Sequence, residues 1–228
     1  MSETDALAAA YAQLSKPTAD SLRTMQNQAQ TKAQWSDLSK KDLKAGSLFL
    51  SAYSLDNVAH VEPSAINWAA AGDRYSQAFQ MATDSSLKPF VINKAMECYR
   101  NAIGKDSSNI KNYVKLAACF TDGTGDVMSG VLLLRSVEKR DSTDSDLNLM
   151  LGRLDVVSGQ YDKAVKRLSR LTLRDPQNTE AWLHLGEAYR ALGQKDKAVE
   201  SLMKCRATVS DPAVRQQVDN IIKQIKNS

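Results

Sequence analysis

Apolar residues in this chain recur at spacings of three and four, the mark of helices that bury one stripe and leave the opposite face to water. The pattern is clearest over 147–157 and again over 182–192. Each stretch runs into a glycine, Gly159 or Gly193, where one helix ends and the chain must reverse. Ala164 and Ala198 follow in a second helix, where a small side chain lets the two helices approach closely, and Leu168 and Leu202 fill the next layer. Asp175-Pro176 stops the second helix, because proline disfavours helical geometry in the residue before it. The stretch Gly159-Gln160-Tyr161-Asp162-Lys163-Ala164-Val165 returns 34 residues later as Gly193-Gln194-Lys195-Asp196-Lys197-Ala198-Val199, with six of seven residues identical. The same offset relates Leu151-Gly152 to Leu185-Gly186 and Leu168 to Leu202, so a whole helical hairpin repeats.

This unit resembles the tetratricopeptide repeat, whose 34-residue motif places an aromatic, Leu-Gly, Tyr, Ala, a large apolar residue and Pro in order. The last unit carries Trp182, Leu185-Gly186, Tyr189, Ala198 and Leu202, with the proline displaced to Pro212. The unit before it keeps Leu151-Gly152, Ala164, Leu168 and Pro176 but has Asn148 and Asp155 where the family prefers aromatics. A third reads as Tyr113, Leu116-Ala117, Phe120, Gly130, Leu134 and Val137 if the turn near Gly123-Thr124-Gly125 is one residue longer.

The expected fold is all-α, a solenoid of three to four such hairpins. Repeats lie at about 110–144, 145–178 and 179–210 within 110–210, after a degenerate hairpin at 63–109 in which Lys94-Ala95, Tyr99 and Ala102 imitate a second repeat helix. Residues 1–62 form an irregular helical region, with helices expected at 4–14, 18–38 and 41–55 and no clear period. Residues 211–228 cap the stack: Asp211-Pro212 starts a helix whose apolar stripe is Val214, Val218, Ile221, Ile222 and Ile225.

Composition narrows the function. Only five prolines and ten glycines leave room for long helices. Thirty Lys and Arg against 26 Asp and Glu give +4 with the signs mixed along the chain, so no nucleic acid partner is expected. No stretch approaches the roughly 18 apolar residues that span a bilayer. The acidic start Met1-Ser2-Glu3-Thr4-Asp5 is not a secretory leader, which points to the cytoplasm; an exported chain with its leader replaced by Met1 would read the same. Cys98, Cys119 and Cys205 are odd in number and far apart, and read as small buried hydrophobes.

Chemical motifs are scarce, and neither a catalytic role nor a cofactor is implied. His60 and His184 are far too distant in sequence for a helical zinc pair. Asp122-Gly123-Thr124-Gly125-Asp126 falls where the repeat needs a turn, without the lysine of a phosphate loop or the glutamate of a calcium loop. Asp141, Asp144 and Asp146 precede a helix and read as caps. Trp35 and Trp68 lack interleaved basic residues and read as core.

What the resemblance implies is a groove lined by the first helix of each hairpin, here by Lys111, Val114, Leu149, Arg153, Leu183, Glu187 and Arg190. Val114, Leu149 and Leu183 can bury a partner's side chains while the charged residues orient it. The Lys-and-Asn clamp by which co-chaperone members hold a C-terminal carboxylate is absent: its positions carry Val114, Ala118, Met150, Glu180 and His184. The expected function is therefore a non-catalytic scaffold or adaptor for another protein or peptide segment. The alternative is a structural subunit, or a homodimer, built through the N-terminal helices. Far-ultraviolet circular dichroism should show helix alone; a substantial strand signal would end the solenoid reading.

Overall fold

The computed structural model describes residues 1–227; Ser228, the last residue of the expected capping segment, lies outside them. Among the described residues there are thirteen α-helices and no strand: α1 Glu3–Ala12, α2 Lys16–Gln28, α3 Lys32–Lys44, α4 Leu48–Val61, α5 Ala65–Met81, α6 Lys88–Lys105, α7 Ile110–Ala118, α8 Val127–Glu138, α9 Ser145–Val157, α10 Tyr161–Arg174, α11 Thr179–Ala191, α12 Lys195–Thr208 and α13 Pro212–Asn227. A π-helical segment, Cys119–Thr124, continues α7. The chain divides into two compact units, Met1–Leu133 and the residues from Leu134 on, with the division inside α8.

Five hairpins follow one another along the chain, where the sequence period shows three to four. The additional one is α3–α4. Like α9–α10 and α11–α12, it has a first helix of 13 residues, a cap residue, a glycine at positive φ, an N-cap and a second helix of 14 residues. The glycines are Gly46 at φ 87°, Gly159 at 73° and Gly193 at 71°, a left-handed conformation that side chains strain to adopt. The expected helices over 18–38 and 41–55 are thus each broken. Thr31 accepts from the Gln34 amide while the Gln34 side chain accepts from the Thr31 amide, a reciprocal cap that starts α3. Gly46 then ends it.

Position by position the hairpins agree. The fourth residues of the first helices are Trp35, Trp68, Tyr113, Asn148 and Trp182; the eighth are Ser39, Gly72, Ala117, Gly152 and Gly186. The eighth position is where the second helix comes closest. A Cβ on Gly152 would stand 2.6 Å from Leu168 Cδ2, one on Gly186 2.7 Å from Leu202 Cγ, and one on Gly72 2.8 Å from Tyr99 Cε1. In α3–α4 this crossing is polar: the Ser39 and Ser51 hydroxyls lie 2.8 Å apart, buried, and Ser39 Oγ also lies 3.1 Å from the Ser51 carbonyl oxygen.

The π-helical segment explains the long turn expected near Gly123-Thr124-Gly125. Nine residues of α7 and six of the π-helix precede Gly125, one more than the 13 and a cap that precede Gly46, Gly159 and Gly193. The extra residue widens the end of a helix instead of lengthening a loop. Asp122 to Thr124 are therefore helical; Gly125, at φ 76°, makes the turn, and Asp126 receives the Ser129 amide at the start of α8.

In the first unit one continuous core runs from Ala6 on α1 to Cys119, with Ala6, Ala10, Tyr11, Ala19 and Leu22 of α1 and α2 built into it. In the second, α13 lays Val218, Ile222 and Ile225 over Ala198, Leu202 and Cys205 of α12, closing the last hairpin. The Asp211 carboxylate receives the Ala213 amide at 2.7 Å, as its place before Pro212 predicts. All three cysteines are free and buried.

Asp42, the eleventh residue of α3, is 1% exposed. Burial pushes its carboxyl up to about 6, against the pull of the Ser54 hydroxyl that donates to it at 2.6 Å. A carboxyl that holds its proton more tightly folded than unfolded stabilises the fold fully below about pH 4, and that stability is lost as pH rises through about 6. The expected loss from this residue is roughly 3 kcal/mol. Urea unfolding of wild type and Asp42→Asn between pH 4 and 7 should show the decline in wild type and a flatter profile in the variant.

Candidate peptide-binding surface

The seven residues expected to line a groove all stand on first helices. Lys111 and Val114 are the second and fifth residues of α7, in the first unit. Lys111 is exposed and Val114 half-buried. The other five belong to the second unit, where α9 and α11 pack side by side. Leu149 and Arg153 are the fifth and ninth residues of α9; Leu183, Glu187 and Arg190 are the fifth, ninth and twelfth of α11. Leu149 and Leu183 are half-buried, each with its inner edge against a core cluster. Arg153 lies over Met150, its Nη2 3.3 Å from Sδ. Glu187 faces His184, Oε2 to Nδ1 at 2.8 Å. Arg190 is exposed. This face of the second unit offers two partly covered leucines among charges of both signs.

Beneath it, the eleventh position separates two designs. In α11 it is Tyr189, which packs, as Trp182 does, against the core of α10 and α11. In α9 it is the buried Asp155, and the fourth position is the buried Asn148. Arg167 of α10 joins them: its guanidinium lies 2.9 Å from Asn148 Oδ1, 3.5 Å from Asp155 Oδ2 and 2.8 Å from Glu138 Oε1. Burial raises the Asp155 carboxyl and Arg167 opposes that rise. Asn148, Asp155 and Arg167 thus together fill the place that Trp182, Tyr189 and Ser201 hold 34 residues later.

In the first unit the ninth residue of α5, Asp73, holds Lys115 of α7 at 2.6 Å and receives the Tyr99 hydroxyl at 2.9 Å. Ser76 lies 3.2 Å from the same hydroxyl. Of these residues only Tyr99 stands out in the sequence, because the hairpin that holds α5 does not keep the 34-residue offset. Its signal is Trp68, Ala71-Gly72 and Tyr75, the fourth, seventh, eighth and eleventh residues of that helix. Trp35 and Trp68 are buried, and His60 packs against the Trp68 ring at 4.9 Å. Asp144 receives the Leu147 amide at 2.7 Å and caps α9; Asp141 receives the Thr143 amide and hydroxyl, and Asp146 lies exposed in the first turn of α9. Among the described residues no three His, Cys, Asp or Glu side chains come together to hold a metal ion, and no helix is long and apolar enough to cross a membrane.

Residues 149–204 match the tetratricopeptide repeat family. That stretch, within the last two hairpins, is a tetratricopeptide-repeat segment. Solved structures carry the likeness of fold over most of the chain. PilW, a type IV pilus biogenesis factor, superimposes with a TM-score of 0.67 at 16% identity, covering 87% of each chain. MamA does so with a TM-score of 0.59 at 17% identity, covering 78% of this chain and 91% of MamA. YrrB, described as a tetratricopeptide-repeat protein with an unusual peptide-binding site, gives 0.55 at 15% identity, covering 82% of this chain and 91% of YrrB. No curated protein matches the chain.

Arg167→Met should destabilise the second unit by about 3–5 kcal/mol, because Asp155 is left buried without its counter-charge. The triple replacement Asn148→Trp, Asp155→Tyr, Arg167→Ser, which copies the last tetratricopeptide repeat, should recover most of that loss. Denaturant unfolding of the three proteins measures both effects.

Proposed function

We propose that this protein holds a segment of another polypeptide against the first helices of its repeats. The observation that carries the reading is the pairing of Leu149 with Leu183 at the fifth positions of adjacent helices. Both are half-buried, and charged side chains flank them. Two such leucines supply apolar anchors about one helix spacing apart, and Arg153, Glu187 and Arg190 supply charge-assisted hydrogen bonds that set the register of what lies across them. Lys111 and Val114 present the same chemistry in the first unit. The peptide-binding site named for YrrB, on a shared fold, is in keeping with this use of the surface.

The buried carboxylates do not suggest catalysis. Asp42, Asp56 and Asp155 each answer a hydroxyl, an ammonium or a guanidinium between packed helices. A structural subunit built through residues 1–62 is the less favoured reading. The apolar residues of α1 and α2 turn into the core of their own unit, leaving Met1, Leu43 and Val61 as the large exposed apolar side chains of that region.

Peptides selected from a random displayed library on the full chain test the proposal. Leu149→Glu combined with Leu183→Glu should weaken their binding at least about tenfold with the unfolding midpoint unchanged. Equal binding would remove the surface from consideration. Light scattering should give the 25.1 kDa mass of one chain, whereas a dimer would move the N-terminal helices to the front.

A further inference from the structure

The first unit contains a pocket that the repeat pattern alone does not foretell. It lies between α5 and the α7–π-helix continuation, with Ile92 and Tyr99 of α6 among its lining residues. Its volume is about 180 Å³ and its lining is mainly apolar. One wall is a helical stripe of Lys115, Ala118, Cys119, Asp122 and Gly123; Ser76 and Phe79 of α5 face it.

The inserted residue helps to shape this pocket. The π-helix carries Cys119, Asp122 and Gly123 on the side that faces α5 and α6. Gly123 presses so near Ile92 that a Cβ there would stand 2.2 Å from Ile92 Cγ1. Single-turn π-helices recur at functional sites because they re-aim side chains without breaking the helix. The small residues Ser76, Ala118 and Gly123 leave room; a bulkier side chain at Ala118 or Ser76 would fill it.

We propose that this pocket receives one large uncharged side chain, leucine, methionine or phenylalanine, from a bound polypeptide. The inference deepens the peptide-holding reading and rests on it for the kind of partner. A dry cavity of roughly 150 Å³ takes a benzene ring, so the space suits a single side chain. The mainly apolar lining selects against an ionic one, which would lose its hydration there; the Lys115 ammonium is already paired with Asp73, and burial pushes the Cys119 thiol up to about 11, so it stays a neutral, soft wall. The lining also favours a chain over a free apolar molecule, because Gln80 and Asp122 add polar groups that can meet backbone amides beside the anchor.

The test is a nuclear magnetic resonance titration of the labelled full chain with N-acetyl-phenylalanine amide, against N-acetyl-alanine amide and toluene. Saturable shifts are expected at the amides of Ala118, Cys119 and Gly123, at least about tenfold weaker for the alanine compound and abolished by Ala118→Leu. Ser76→Leu fills the pocket from the other wall if the first variant does not fold. No saturable shift, shifts that persist in the filled variant, or binding of toluene alone would each overturn the proposal. The two readings fail separately. Library peptides that ignore Ala118→Leu but are lost with Leu149→Glu and Leu183→Glu would sink the pocket and spare the surface; the reverse pattern would spare the pocket and sink that surface.

Discussion

How near two helices come at one crossing governs each hairpin, and the hairpins build both units. The crossing pairs the eighth residue of a first helix with a residue well inside the second, and bare backbone meets a side chain there: Gly152 under Leu168, Gly186 under Leu202, Gly72 under Tyr99. Close approach excludes water from the layer above and aligns the apolar stripes that join hairpin to hairpin. It also sets which residues of the first helix face outward. The fourth, seventh, eighth and eleventh positions are committed inward, which leaves the fifth and ninth on the partly exposed face of the first helices.

The same crossing decides what could be read from sequence. Where it is made from glycine and alanine, as in α9–α10 and α11–α12, the period was plain. In α3–α4 it is made from Ser39 and Ser51, which satisfy each other by hydrogen bonding and so replace small apolar residues without opening the helices. Serine carries no hydrophobic signal, and the hairpin was hidden. In α5 the signature Trp68, Ala71-Gly72, Tyr75 was present, but α6 begins late and the offset of 34 is lost. The outward positions of the last two hairpins followed from the resemblance to the tetratricopeptide repeat. The Asp73–Lys115–Tyr99 cluster did not, since it depends on which helices become neighbours.

Buried charge in this protein is a second solution to a packing problem. At the eleventh position of the first helix the chain uses Tyr75 and Tyr189 in two hairpins and Asp42 and Asp155 in two others. Each aspartate meets the seventh residue of its second helix, Ser54 or Arg167. A ring fills space from one helix, whereas a carboxylate and its partner fill it from both. The polar version is the more particular, for a hydrogen-bonded pair tolerates little sliding of one helix along the other.

The π-helical segment ends at the turn glycine of its hairpin, and from Gly125 onward the spacing to the next first helix is the spacing found after Gly159. An added residue has therefore been absorbed within a single turn of helix, and nothing downstream has been displaced from its place in the period. A repeat array that takes up length in this way can vary one binding position while its neighbours keep theirs. Insertions at the ends of first helices are, for such a fold, a source of new surface whose cost stays local.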